Sequence, residues 1–352
     1  MDLPAGVTSH TARTARLETK WIESGPEDGV PVVLVHGNLS TGRFYEHVLP
    51  GAPGRFRFIA PDMRGFGDSE KADLDATRGL RDWSDDVKAL VDHLGITAPV
   101  HLAGWSTGGA AVSHYAMDHG NVASLTYIDP VSPYGFGGVH PDGRPSYDDY
   151  AGSGGGTGSP DFVARLREGD RGTDSPFSPR NVMRTSYWNP EFSLAPEHED
   201  MLVDEVLKSL IGDGGYPGDL TTSENWPGVA PGVKGILNAL SPKYCNWSGI
   251  VDLDPKPPVL WTHGEKDIVV ADGSAWEMGT LGAAGVVPGW PGEEVIPAQL
   301  MVTQIRNVLM EYAGKGGKVR MEMMAGSGHG PVFDNEAAWT ALFFEHLESA
   351  AG

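Results

Sequence analysis

The stretch Gly104-Trp105-Ser106-Thr107-Gly108-Gly109 constrains this chain more than any other. A short apolar run, Val100 to Ala103, leads into it, and helical spacing from Ala110 to Asp118 leads out. Strand, sharp turn with a central serine, then helix is the context in which G-x-S-x-G marks a nucleophile elbow. The glycines are there for steric reasons. A serine at the tip of so tight a turn takes an unusual backbone conformation, so the residues two before and two after it must lack bulk. Gly104 and Gly108 meet that demand, and Gly109, Ala110 and Ala111 let the helix close on the sheet. The helix N-terminus then directs partial positive charge at Ser106, where an oxyanion would develop. In a chain with 48 glycines the pattern needs its context to mean anything.

That context is a repeating alternation. Residues 15–23 alternate polar and apolar, as an antiparallel edge strand would. Residues 31–35 are continuously apolar, the mark of a strand buried on both faces. Further strands are expected at 55–60, 124–128, 257–262 and 318–324. Helices are expected at 41–49, 80–94, 298–313 and 335–348. Strands alternating with helices indicate an α/β fold with a mainly parallel central sheet flanked by helices. The rhythm stops at Asp129-Pro130 and resumes at Pro257. Residues 131–255, rich in Gly, Pro and aromatics with one good helix candidate at 194–210, therefore read as an inserted cap. The core would be 1–130 with 256–352. Within the insertion, 152–159 is composed like a flexible linker. No Lys-Ser/Thr follows it, so it is not a phosphate loop.

Bulk properties narrow the partners. A formal charge of −21 disfavours nucleic acid or an anionic membrane and makes a neutral substrate the easier choice. The single cysteine, Cys245, excludes an intrachain disulfide and a cysteine-based zinc site. No apolar run approaches the ~18 residues of a membrane span, and residues 1–14 lack a leader-like apolar segment, so the cytoplasm is the expected location. Self-association into a homo-oligomer is left open.

Three other stretches share the strand-end position of the elbow. His36-Gly37-Asn38-Leu39 follows the 31–35 strand and can aim a backbone N–H at the spot faced by the Thr107 N–H, making a two-donor oxyanion hole. Asn38 is the favoured donor and Leu39 the one-residue alternative. His263-Gly264-Glu265-Lys266-Asp267 follows the 257–262 strand, and Gly326-Ser327-Gly328-His329-Gly330 follows the last. Carboxyl ends of parallel strands gather along one sheet edge, so Ser106, Asp267 and His329 can converge. Asp129 is the other strand-end acid and the runner-up to Asp267; Asp272 lies too far past its strand. The loop from Asp62 to Ser69, with its glycines and charged pair, reads as scaffold.

In these motifs, and in their order, the chain resembles the α/β-hydrolase fold superfamily over residues ~15–130 and ~257–350. The resemblance implies Ser106 as nucleophile, His329 as general base and acid, and Asp267 as the residue that orients the imidazole. It also implies that 131–255 is the cap such proteins insert after that strand. The GWSTGG and DMRGFGDS stretches are similar to those of cofactor-free haloperoxidase and perhydrolase esterases, which lack a large cap. No cofactor or metal is implied. The expected chemistry is serine hydrolysis of an ester or lactone of a fairly apolar small molecule. The same triad also serves C–C bond hydrolases, aminopeptidases or amidases and perhydrolases, and some relatives are small-molecule receptors with residual hydrolysis. Leu39, Trp105, Tyr134, Phe136, Tyr187, Trp188, Trp226, Tyr244 and Trp247 are the candidate pocket lining.

Overall fold

The apolar run Val30–Val35 (β3) forms the middle of an eight-stranded sheet, with five of its six residues buried. The structure, a computed structural model, describes residues 2–351. The other strands are Thr8–Arg13 (β1), Glu18–Ser24 (β2), Phe56–Pro61 (β4), Val100–Trp105 (β5), Val122–Ile128 (β6), Val259–Gly264 (β7) and Val319–Met324 (β8). Their spatial order is β1-β2-β4-β3-β5-β6-β7-β8. β1 pairs antiparallel with β2, β2 antiparallel with β4, and every other neighbouring pair is parallel. β3, β4, β5 and β7 are buried nearly throughout, because helices cover both faces of a parallel sheet.

The strand expected at 15–23 is found as β2, but it is not the edge. β1 lies outside it, with no residue of Thr-Ser-His-Thr-Ala-Arg buried and no apolar alternation to signal a strand. The helix expected at 41–49 is two short 3₁₀ turns, Gly42–Tyr45 and Leu49–Gly51, the first capped by the Thr41 side chain. Arg81–His93 (α1) buries Trp83, Val87, Leu90 and Val91 on one face and ends before Gly95, whose φ of 68° suits glycine.

Between β6 and β7 the chain leaves the sheet for Pro160–Glu168 (α3), Pro179–Ser186 (α4) and Pro196–Leu207 (α5), numbered after Thr107–Asp118 (α2) on the elbow. Serine side chains cap α3 and α4 and a proline opens all three, a standard helix start. The 152–159 stretch is not a linker. Ser153 and Gly155 are buried, Gly155 donates its N–H to Asn238 Oδ1 at 2.7 Å, and a Cβ on Gly155 would stand 2.5 Å from the Asp219 carbonyl oxygen. Its glycines permit close backbone packing instead of freedom. After β7, Met301–Gly314 (α6) and Glu336–Ala351 (α7) complete the layers. Among the described residues, no helix is long and apolar enough to cross a membrane.

Candidate active site

At the end of β5 the chain turns on Ser106, which has φ 54° and ψ −117°. Such a conformation strains any residue with a Cβ and is kept only by its surroundings. Here the surroundings are close backbone. A Cβ on Gly108 would overlap the Val35 carbonyl oxygen, and one on Gly109 would stand 2.5 Å from Pro130 Cβ. Gly108→Ala should therefore cost about 1–3 kcal/mol of unfolding free energy, the usual penalty for overpacking. A urea midpoint equal to wild type would show that the elbow has room to spare.

The turn after β3 packs against the serine: a Cβ on Gly37 would lie 3.1 Å from Ser106 Cβ. His36, fully buried, accepts the Met63 N–H on Nε2 at 2.9 Å, and its Nδ1 lies 2.7 Å from the Gly37 carbonyl oxygen. Burial pushes its imidazole down to about 4, so it is a neutral structural group. Asp62 anchors the neighbouring loop, accepting from the Gly42 and Asp68 N–H groups, which fits the scaffold reading of 62–69. Among the described residues the amides of Asn38, Leu39 and Thr107 have no acceptor in the protein. They are backbone donors beside the serine.

Asp267 and His329 meet. His329 Nδ1 lies 2.8 Å from Asp267 Oδ2, and both residues are buried. Asp267 Oδ1 also accepts the Val269 and Val270 N–H groups, at 2.7 and 3.1 Å. Burial alone would raise this carboxyl, but the His329 charge and hydrogen bond, with the Val269 amide, outweigh it and hold the group below its ordinary value. The histidine loop is fixed from two sides. Trp105 Nε1 donates to the His329 carbonyl oxygen at 2.6 Å, and the Gly328 N–H donates to Asp334 Oδ2 at 2.7 Å. Gly264 and Gly328 touch backbone to backbone, which brings the acid loop and the histidine loop together. Ser106 Oγ makes no hydrogen bond to His329 among the described residues; such bonds are often formed only with substrate bound.

The segment between β6 and β7 reaches this edge at Tyr187-Trp188-Asn189. The Tyr187 hydroxyl donates to the carbonyl oxygens of Leu39 and Asn38, at 2.9 and 3.3 Å, and its ring lies 5.6 Å from Trp105. Asn189 donates its side chain to the Gly326 carbonyl and its N–H to Asp334. Tyr187→Phe should lower stability by about 1 kcal/mol, since it leaves two carbonyl groups short of a donor; an unchanged denaturation midpoint would refute that role.

The aromatic expectations divide. Leu39, Trp105, Tyr187 and Trp188 sit at the site. Trp247 does not: it is fully buried, stacks on Tyr127 at 5.2 Å and donates to the Val131 carbonyl, so it packs the core. Trp226 also lies elsewhere, donating to the Pro288 carbonyl and packing on Gly282 and Gly289. Tyr134 lies against Gly143 of its own loop, the adjoining Phe136 is tied to the Leu240 carbonyl, and Tyr244 donates to the Gly232 carbonyl. Composition shows how many aromatics the insertion carries, not which way each faces. Two contributors escaped sequence reasoning: the Trp105 indole as anchor of the histidine loop, and His263, buried within 3.6 Å of both Asp129 and Asp267. The repeated His-Gly at strand ends was the available signal for His263.

The family described as alpha/beta hydrolase fold matches residues 30–152. The cis-3-alkyl-4-alkyloxetan-2-one decarboxylase of Xanthomonas campestris pv. campestris is 38% identical over 126 residues, covering 32% of this chain and 41% of that protein. The non-heme chloroperoxidase of Streptomyces lividans is 34% identical over 125 residues, covering 34% of this chain and 44% of that protein. The chain thus spans about two fifths of the length of these two curated relatives. A thermophilic esterase from Thermogutta terrifontis superposes with a TM-score of 0.58 at 18% identity, over 97% of this chain and 99% of that one, which establishes the shared fold. With its strand order and elbow, the chain has the alpha/beta hydrolase fold.

Proposed function

We propose that this chain is a serine hydrolase that cleaves a carboxylic ester or lactone of a fairly apolar, neutral small molecule through an acyl-enzyme. The observation that carries the reading is the 2.8 Å bond between His329 and Asp267 at the sheet edge that also presents Ser106 in its strained turn. Asp267 fixes the imidazole with its proton on Nδ1, leaving Nε2 free to take the Ser106 proton. The serine attacks the carbonyl carbon, and the Asn38 and Thr107 N–H groups receive the oxyanion. His329 then protonates the leaving group, and water repeats the cycle to release the acid. No step calls for a cofactor.

The residues between β6 and β7 would act as the lid, since Tyr187 and Trp188 lie over the oxyanion turn and the histidine loop. Tyr187 and Trp188 of that segment pack against Trp105 and Phe333 of the core, and this apolar seam beside the site supports an apolar substrate. The decarboxylase relative is named for an oxetan-2-one, a cyclic ester, and the solved neighbour is called an esterase. The esterase name favours an acyl–oxygen bond; the decarboxylase name supports only the cyclic-ester substrate, since loss of carbon dioxide breaks a C–C bond.

A panel of p-nitrophenyl esters and lactones, run on wild type and Ser106→Ala, tests the reading. Turnover of at least one by wild type, lost in the variant, is the expected result. An inert panel with Ser106 still labelled by a fluorophosphonate would reject the substrate class while keeping the nucleophile. A single burst without turnover would indicate a receptor.

A further inference from the structure

β6 ends at Ile128, and the next residue, Asp129, turns the chain with a φ of 42°. A non-glycine residue in that region is held there by its neighbours. The Asp129 carboxyl is fully buried; Oδ1 accepts the Gly264 N–H at 2.8 Å, and Oδ2 has no hydrogen-bond partner of the ordinary kind. It shares its space with His263 and Asp267, one polar atom of each lying within 4.8 Å of the other two. His263 Nε2 is bonded to the Val270 carbonyl at 2.9 Å, so that nitrogen carries a ring proton; burial holds the imidazole below its ordinary value and leaves Nδ1, 3.6 Å from Asp129, a lone pair. The imidazole is therefore neutral and supplies no positive charge to balance a second anion. Asp334 also faces Asp129, and His329 stands beyond Asp267.

A carboxylate offers about four lone-pair sites. Asp267 spends three, on the Val269 N–H, the Val270 N–H and His329. Asp129 is the neighbouring group that lacks a partner for its second oxygen.

We propose that Asp129 is a positioning residue: a neutral carboxylic acid whose hydroxyl donates to Asp267, leaving Asp267 as the sole anion of the pair. Two dry carboxylates this close cannot both ionise. Burial first, and then the Asp267 charge, push the Asp129 carboxyl well above its ordinary value. The shared proton gives Asp267 a fourth donor and fixes the plane from which it holds His329. The role of Asp267 in this scheme rests on the hydrolase reading, but the protonation of Asp129 can be read without turnover.

The test is carbon-13 NMR of the full chain with labelled aspartate at about pH 8, some four units above the ordinary aspartate value. Asp62, raised only to about 6, is ionised at that pH. One un-ionised carboxyl resonance is expected, assigned to Asp129 through its correlation with Pro130 and missing from Asp129→Asn. If the Asp129 resonance is that of a carboxylate, the proposal fails, and the wild-type spectrum decides this even if the variant does not fold. Kinetics add a second arm. Asn keeps a donor and no charge, so kcat should stay within about threefold and the acidic limb of kcat/KM within about 0.3 pH unit of wild type. Asp129→Ala removes the donor and should lower kcat about tenfold at unchanged KM. A downward shift of that limb by about one unit in the Asn variant, the effect of removing an anion, would overturn the proposal. So would an Ala variant as active as the Asn one. An inert ester panel leaves the Asp129 resonance readable, so the two readings fail separately.

Discussion

Ser106→Ala is expected to lower kcat on the best panel ester by 10⁴- to 10⁶-fold, about the loss seen when a triad nucleophile is removed elsewhere. The size of the effect follows from the absence of a substitute. Of the hydroxyls near the elbow, Ser40 is committed to the Gly37 carbonyl and Ser132 to Gln304 Oε1, and both are fully buried. Thr107 is itself buried at the head of α2. None occupies the tip of the turn, where Ser106 holds its strained conformation beside Gly37. KM should change little, because the alanine removes one oxygen and leaves the Asn38 and Thr107 amides and the segment between β6 and β7 in place. The residual rate, still above that in water, would report what those amides contribute. The variant should also lose fluorophosphonate labelling. Equal hydrolysis by the alanine variant would mean that another group attacks, and the reading of the elbow would fall with it.

Why the elbow could be read from the sequence is a matter of local sterics. Gly104, Gly108 and Gly109 each stand where a Cβ would collide with backbone or with Pro130, and that kind of constraint shows in the residue type itself. The strand ends were legible for a related reason. β3, β5 and β7 are buried on both faces, so their sequences are mostly apolar, and the His-Gly and Gly-Trp-Ser stretches stand out where they stop. β1 left no such trace, since an exposed edge strand gains nothing from apolar residues. The insertion was least legible. Trp188 and Trp247 are both almost fully buried, yet one sits on the histidine loop and the other beneath β6 on Tyr127. Sequence fixes neither, because both solutions satisfy burial and only tertiary packing chooses. The 152–159 glycines misled in the same way: small residues permit either freedom or close packing, and here Asn238 supplies the bonds that select packing.

Asp267→Asn carries the other large expected effect, a drop in kcat of about 10⁴-fold with the fold intact. The hydrogen bonds dictate which way the new amide must face. Oδ1 receives two backbone N–H groups, from Val269 and Val270, so the amide's carbonyl oxygen has to stay there. Its NH₂ group is then forced into the Oδ2 position, 2.8 Å from His329 Nδ1. Two N–H groups cannot face each other, so Nδ1 must become the acceptor and the ring proton must move to Nε2. That is the wrong tautomer, because Nε2, the base in the proposed mechanism, then carries a proton and cannot accept one. The imidazolium also loses its counter-charge in a buried setting, where that charge matters most. Fluorophosphonate labelling should slow in step with kcat, since both begin with loss of the serine proton, while the urea midpoint should move little. An Asn variant within about tenfold of wild type would show that the tautomer is set by some other group. In that case Asp129, the remaining carboxyl behind His263, would be the residue to test as the orienting acid.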